Sequence, residues 1–250
     1  MEIVKYQFAW ESDASHKVFW HYRKRLATNA QTEVADLIAL CNLEPSALVL
    51  DVGCGLGLHL ADFALRGIVG TGIEIADYAV TLARRNCEAI PGCRILKLRG
   101  SKMKWEREFD LVYALEHTLG FMSKDELKRH LRRMWEAVKP GGMLLLQVPY
   151  TLEAAQSSLP VHTWEFSNGK YTLEDKCLLQ GNIKREQCII IDPVANRLEE
   201  YIEEQRYYTW GQITGLLQAC GVEQVKSLRD LSGNEARNGK EARVFVGRKD

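Results

Sequence analysis

Apolar and polar positions follow two periods along this chain, and the places where the period changes divide it. Residues 47–52, 69–73, 94–98, 109–115 and 143–148 are short runs rich in apolar side chains and read as strands. Residues 58–66, 76–89 and 124–138 lie between them with apolar positions at helical spacing. Lys139-Pro140-Gly141-Gly142 stops the last of these helices. Strands separated by helices of this length predict an α/β fold, a parallel sheet with helices on both faces.

The flanking regions differ. Residues 1–14 are aromatic-rich (Tyr6, Phe8, Trp10) without clear periodicity, and 15–41 carry helical spacing in Val18, Leu26, Val34, Leu37, Ile38 and Leu40, enough for one or two helices. Between 150 and 208 no long helix is evident. Residues 161–166, 183–191 and 197–208 read as strands, separated by turn signals at Ser167-Asn168-Gly169 and at Asp192-Pro193 with Asn196. This stretch is expected to be a small antiparallel insert. Thr209 caps a helix to Cys220, ended by Gly221, and 222–228 with 242–247 close the sheet as two further strands.

A chain of 250 residues suffices for one large α/β domain. Lys plus Arg and Asp plus Glu both number 33, so the formal net charge is zero. That balance argues against nucleic acid, whose binders usually carry a basic excess. The densest basic stretch, 124–133, is broken by Asp125 and Glu126 and spaced like a solvated helix face. No apolar run reaches the roughly 18 residues of a membrane span, and residues 1–10 lack the pattern of a signal peptide. The seven cysteines are scattered, with no zinc spacing and no CxxC. They read as reduced thiols of a cytoplasmic protein.

The chemistry begins at Leu48-Val49-Leu50-Asp51-Val52-Gly53-Cys54-Gly55-Leu56-Gly57. Alternate glycines let a backbone pass close to a ligand, and the helix that follows offers unpaired N–H groups to an anion. A dinucleotide turn would place a third-position glycine where Leu58 stands, and a phosphate loop would end Gly-Lys-Ser/Thr. Asp51 would repel phosphates further. A positively charged amino-acid ligand fits better: its carboxylate meets turn N–H groups and its ammonium meets acidic or carbonyl oxygens. Glu74, at the end of the second strand, suits the vicinal hydroxyls of a ribose.

Together with Phe109-Asp110-Leu111-Val112 and the stretch from Leu131 to Gly142, these residues resemble the class I S-adenosylmethionine-dependent methyltransferases. The resemblance is strong over about 35–150 and weaker over 209–249. It implies a Rossmann-like, seven-stranded, mostly parallel sheet with helices on both faces and the antiparallel insert. It also implies a single domain in four segments: 1–42 an N-terminal helical lid, 43–149 the cofactor-binding core, 150–208 the antiparallel cap, 209–250 the final helix and hairpin. In that reading Asp51, Gly53, Cys54, Gly55 and Gly57 surround the methionine moiety. Glu74 holds the ribose with Ile75 beside the adenine. Gly100-Ser101-Lys102 edges the adenine, with Ser101 where many relatives have Asp. Leu115 and Glu116 lie by the transferable methyl. No metal is implied.

Residues 116–121 are similar to the Asn-Ser-Phe-Gly-Tyr type segment of a small-molecule subgroup that includes sugar-amine N-methyltransferases and natural-product enzymes. His117 stands where that subgroup has an amide, and is the first candidate for a general base; His162 and Glu165 in the insert are weaker ones. Tyr6, Trp10, Tyr150, His162, Trp164 and Tyr208 are the candidates for lining the acceptor, within an aromatic set (with Phe8 and Tyr207) suited to an apolar lid, while the helically spaced Trp20 and Trp135 read as packing. The expected activity is methyl transfer from S-adenosylmethionine to an oxygen, nitrogen or carbon of a small molecule. A nicotinamide-dependent oxidoreductase and a non-catalytic cofactor-binding subunit are the alternatives. No Asn/Asp-Pro-Pro-Tyr signature follows the fourth strand, which counts against nucleic-acid amines. The insert is read as a substrate cover or a dimer interface, and a homodimer is expected.

Overall fold

The computed structural model describes residues 1–6, 29–116, 118–158, 162–167 and 172–250; for Tyr6, Ser158, residues 162–167 and residues 172–175 only the backbone is described. In chain order the elements begin with β1 (Glu2–Tyr6), α1 (Ala30–Cys41), β2 (Leu48–Val52), α2 (Leu58–Leu65), β3 (Val69–Glu74), α3 (Asp77–Cys87) and β4 (Cys93–Lys97). A 3-10 turn (Gly100–Lys102), β5 (Phe109–Ala114), α4 (Lys124–Ala137), β6 (Val138–Gln147) and α5 (Leu152–Ser158) follow. The chain continues through β7 (His162–Ser167), β8 (Thr172–Gln180), β9 (Ile183–Asp192), β10 (Arg197–Arg206), α6 (Trp210–Gln218), β11 (Lys226–Leu228) and β12 (Val244–Arg248).

Seven strands form one sheet in the order β11-β12-β6-β5-β2-β3-β4. From β6 to β4 every pairing is parallel, and β12 runs antiparallel to both β6 and β11. The chain moves outward from β2 through β3 to β4, then crosses back to β5 on the other side. The order therefore reverses between β2 and β5, and ligands of open α/β sheets bind at the carboxyl ends of the strands at such a point.

The apolar runs are explained by two cores, one on each face. Val49, Leu111, Tyr113 and Leu145 pack with Val34 and Leu37 of α1, Leu60 and Phe63 of α2, and Val80 and Ala83 of α3. Leu50, Val52, Val112, Ala114, Leu144 and Leu146 pack with Leu127, Leu131 and Met134 of α4 and Ile213 and Leu217 of α6. Successive strand residues point to opposite faces, so a strand covered on both sides is apolar throughout. Each such buried aliphatic side chain stabilises the fold by about 1.5–3 kcal/mol.

Helix ends follow their local chemistry. Ser123 Oγ accepts from Glu126 N at 3.2 Å at the start of α4. Thr209 and Gln212 form a reciprocal capping box on α6. The Lys-Pro-Gly-Gly stretch acts as expected in ending α4, but β6 begins at once: Phe109 pairs with Val138 and Leu111 with Met143, so residues 139–142 bulge from the ladder.

A second sheet has the order β1-β10-β9-β8-β7, with β1 parallel to β10 and the rest antiparallel. The strands expected at 161–166, 183–191 and 197–208 are present within a few residues as β7, β9 and β10. The pattern missed β8, whose Glu174-Asp175-Lys176 interrupts any apolar alternation, and the seven-residue α5. It also missed β1, an edge strand whose partner lies nearly the whole chain away. The opening segment, read as part of a helical lid, thus contains a strand, and β11 is three residues rather than seven. Two compact units result: 1–28 with 154–207, and 29–153 with 208–250.

One reading of the cysteines is corrected. Cys87 and Cys93 form a disulfide, with Cα atoms 5.6 Å apart. Cys87 closes α3 and Cys93 opens β4, and the loop between folds back through Ile90 N to Cys87 O and Cys93 N to Ile90 O. That brings the two α-carbons into disulfide range, which their spacing in sequence does not reveal. The other five are free thiols. No described helix is long and apolar enough to cross a membrane.

Candidate functional site

The glycine-rich turn leaves the carboxyl end of β2 and is tied to its neighbour. Gly53 N and Cys54 N both donate to Ile73 O of β3, at 2.9 and 3.1 Å. Gly53, Gly55 and Gly57 have φ of 87°, 52° and 69°. At Gly53 this left-handed backbone coincides with a close approach: a Cβ there would stand 2.6 Å from Thr118 Oγ1. Thr118 in turn donates to Leu115 O at 3.0 Å, so the segment after β5 folds onto the turn. Gly57 precedes α2 without a side-chain cap, and the first turn of α2 holds no acidic residue. Its leading N–H groups and positive dipole end are left for an anion.

Glu74 reaches this turn from β3. Its Oε2 accepts from Gly55 N at 3.1 Å, and its Oε1 from Ile75 N at 2.6 Å and Ala76 N at 3.0 Å. The carboxylate is fixed by three backbone donors and bridges the ends of β2 and β3.

Asp51 lies beneath the turn, 3% exposed. It stands opposite Tyr113 of β5 in register, and the Tyr113 hydroxyl donates to Asp51 Oδ2 at 2.9 Å. Burial pushes Asp51 up to about 6, against the opposing pull of His59 and of the Tyr113 hydrogen bond. His59, in the first turn of α2, bonds Glu33 of α1 at 2.7 Å. Burial pulls its pKa down, but the bond to Glu33 and the charges of Asp51 and Glu33 outweigh it, and the imidazole is held above its usual value. Burial, then Asp51 and Glu74, hold the Cys54 thiol well above the usual range, so it is an uncharged neighbour here.

The remaining candidates lie in several places. Ile75 is half-buried after Glu74. Gly100 is buried, Ser101 half-buried and Lys102 exposed in the 3-10 turn beyond β4. Leu115 is half-buried, and Glu116 is exposed with φ 57°, a left-handed backbone rare in residues other than glycine. All of these follow strands that end at the same sheet edge. His117 and Trp10 lie outside the described residues. Tyr6 lies on β1, and His162, Trp164 and Glu165 on β7, in the five-stranded sheet. Tyr150 is half-buried with the Arg243 guanidinium 5.0 Å over its ring, and Tyr208 packs on the core with α4 and α6. Sequence reasoning missed Tyr113, Thr118, His59 and Glu33. Tyr113 follows the Phe109-Asp110-Leu111-Val112 motif, Thr118 lies within the segment 116–121 but was given no role, and His59 is two residues past Gly57; Glu33 carries no signal in sequence.

Residues 49–142, which hold the turn, Glu74 and β5, match the model of a methyltransferase domain. That span therefore carries a methyltransferase domain, which supports a class I S-adenosylmethionine-dependent methyltransferase. Among relatives of this chain, trans-aconitate 2-methyltransferase of Deinococcus radiodurans is 32% identical over 50% of this chain and 46% of its own. A dTDP-3-amino-3,4,6-trideoxy-alpha-D-glucopyranose N,N-dimethyltransferase of Streptomyces venezuelae is 26% identical over 46% of this chain and 48% of its own. The chain thus matches about half the length of these curated relatives. A solved S-adenosylmethionine-dependent methyltransferase from Clostridium acetobutylicum superposes with a TM-score of 0.75 at 13% identity, covering 94% of this chain and 99% of that one. A sugar N-methyltransferase from Streptoalloteichus gives 0.70 at 20% identity, covering 94% and 93%. These likenesses show the fold, and the domain match supports methyl transfer over the nicotinamide alternative.

The residues present fit S-adenosylmethionine. The close approach at Gly53 leaves no room for a side chain, α2 begins without a cap, and Glu74 brings a carboxylate to the same turn.

Proposed function

We propose that this methyltransferase transfers the methyl group of S-adenosylmethionine to an oxygen, nitrogen or carbon nucleophile of a small, sugar-like or natural-product acceptor. The observation that carries it is the contact between the glycine-rich turn and Glu74, which joins a carboxylate-binding turn to a hydroxyl-binding acid in one site. The names of the trans-aconitate and amino-sugar relatives support a small acceptor.

Bound there, S-adenosylmethionine supplies a sulfonium-activated methyl group. The protein's part is alignment. The N–H groups of 53–57 and the start of α2 hold the ligand carboxylate, and Asp51 acts on its ammonium from beneath the turn. Glu74 already accepts three N–H bonds of about four that a carboxylate takes. A pair of ribose hydroxyls therefore uses the free position and displaces the longest bond, from Gly55. Ile75 covers the adenine face and Gly100, Ser101 and Lys102 its edge. Leu115 and Glu116 border the methyl group. Tyr6, Trp10, Tyr150, His162, Trp164 and Tyr208 are assigned to the acceptor. The acting form is taken as a homodimer, which light scattering tests.

His117, between Glu116 and Thr118 in sequence, is assigned as general base because a near-neutral imidazole suits proton removal from a hydroxyl or acidic carbon. His117→Ala is expected to slow turnover about a hundredfold or more while S-adenosylhomocysteine binds nearly as before. Steady-state kinetics beside calorimetry read the two effects, and unchanged turnover removes His117 from the mechanism.

A further inference from the structure

His130 is a buried polar side chain that the cofactor reading leaves unused. It lies on α4, 3% exposed, and neither ring nitrogen has a hydrogen-bond partner. Buried polar groups are normally paired, so an imidazole kept without partners calls for another reason. The ring lies against Gly100: a Cβ at that position would stand 2.0 Å from Cε1, 2.4 Å from Nε2 and 2.6 Å from Nδ1. No side chain fits at 100 while the ring is there.

The same helix grips the neighbouring residue. Glu126, one turn earlier on α4, accepts from Arg99 Nη1 at 2.9 Å. Residues four apart share a helix face, so Glu126 and His130 hold Arg99 and Gly100 side by side. Those two residues open the 3-10 turn, closed by Lys102 N to Arg99 O at 2.8 Å and Met103 N to Gly100 O at 3.2 Å. Met103 then anchors the turn in the core at 1% exposure.

We propose that His130 is a positioning residue for the adenine edge of the cofactor: its ring fixes how far the 100–102 turn lies from α4, and so where Ser101 stands. This rests on the reading above that residues 100–102 border the adenine. An adenine edge is told from other purines by its exocyclic amine, which donates where an oxo group accepts. The Ser101 hydroxyl can meet either group, so discrimination rests on the Ser101 backbone N–H, which only donates, and C=O, which only accepts; where they stand decides it, because hydrogen bonds weaken steeply with misalignment. The ring does this as an uncharged plate. Burial lowers its pKa to about 4, with Glu126 and Arg99 pulling in opposite directions, so it is neutral at physiological pH.

The test uses Gly100→Ala, His130→Ala, the double variant and His130→Leu, titrated by calorimetry with S-adenosylhomocysteine and its inosine counterpart. Gly100→Ala is expected to weaken S-adenosylhomocysteine about tenfold or more, and the double variant to recover to within about threefold of His130→Ala, because the ring that met the new methyl is gone. His130→Ala is expected to reduce the preference for the adenosine ligand about fivefold or more. His130→Leu, which keeps the bulk and loses the nitrogens, is expected to retain that preference. A double variant as weak as Gly100→Ala overturns the proposal, as does a preference unmoved in His130→Ala or lost in His130→Leu. If the wild type binds neither ligand, the cofactor reading fails instead. Amide exchange at 99–103 in the unliganded protein then decides: selective acceleration in His130→Ala, or in His130→Gly should the alanine variant not fold, supports the clamp, and unchanged exchange overturns it.

Discussion

Two turns at the carboxyl ends of the strands each have a buried titratable group packed behind them, and the protein treats the two differently. Asp51, beneath the glycine-rich turn, has a phenolic donor at 2.9 Å and the field of His59. His130, behind the 100–102 turn, has no partner on either nitrogen. Burial disfavours the charged form of both, raising Asp51 to about 6 and lowering His130 to about 4. At neutral pH Asp51 is nonetheless ionised and His130 neutral. The end proposed to hold the methionine moiety keeps a charge at a cost to the fold, whereas the end proposed to border the adenine discards the charge and uses shape.

The costs have opposite signs. A folded pKa of about 6 against 3.8 means the folded state binds more protons at Asp51, so stability is lost as pH rises from about 4 to about 6. A folded pKa of about 4 against 6.5 means the unfolded state binds more protons at His130, so stability is lost as pH falls from about 6.5 to about 4.

The sharpest break in the comparison comes between the two ends. Glu74→Ala removes two hydrogen bonds to a charged acceptor, each about 1.5–3 kcal/mol, and is expected to weaken S-adenosylhomocysteine about a hundredfold or more by calorimetry. A loss below about threefold removes the ribose role. Asp51→Asn is expected to stabilise the unliganded protein above pH 7, by at most on the order of 3 kcal/mol, while weakening the cofactor. Urea unfolding at pH 8 reads this, and a less stable variant contradicts the view that the charge is held at a cost. His130→Leu has the smallest effect and the opposite pH sense. Relative to wild type it is expected to gain about 2 kcal/mol on going from pH 7 to pH 4.5. A pH-independent difference would place a paired or exposed imidazole there.

Much of this was legible in the chain because the seven-stranded sheet is covered on both faces. Val49 and Leu50, or Val112 and Tyr113, each enter a different core, so the strands stand out as apolar runs. The five-stranded sheet gives a weaker signal: β10 reads Arg-Leu-Glu-Glu-Tyr-Ile-Glu-Glu-Gln-Arg, with Tyr201 buried and Ile202 36% exposed. β1 is recognisable only through its partner in β10. Within the site, the turn and Glu74 were legible because the turn directly follows a strand and Glu74 ends one. Asp51 was legible as an acid, but its burial against Tyr113 depends on the register of β2 with β5. His130 gave no signal, since on a basic helix it looks like a solvated residue; only Gly100 packed against it reveals its place.

The proposed role of the turn from Gly53 to Gly57, with Asp51 beneath it and Glu74 beside it, is to hold S-adenosylmethionine. Calorimetric titration of the wild-type protein with S-adenosylhomocysteine at pH 7.5 and pH 5 tests this most directly. One site per chain is expected, in the micromolar range at pH 7.5 and with about tenfold weaker binding at pH 5, where Asp51 has taken up a proton. No binding at either pH, or an affinity that rises as Asp51 is neutralised, would contradict it.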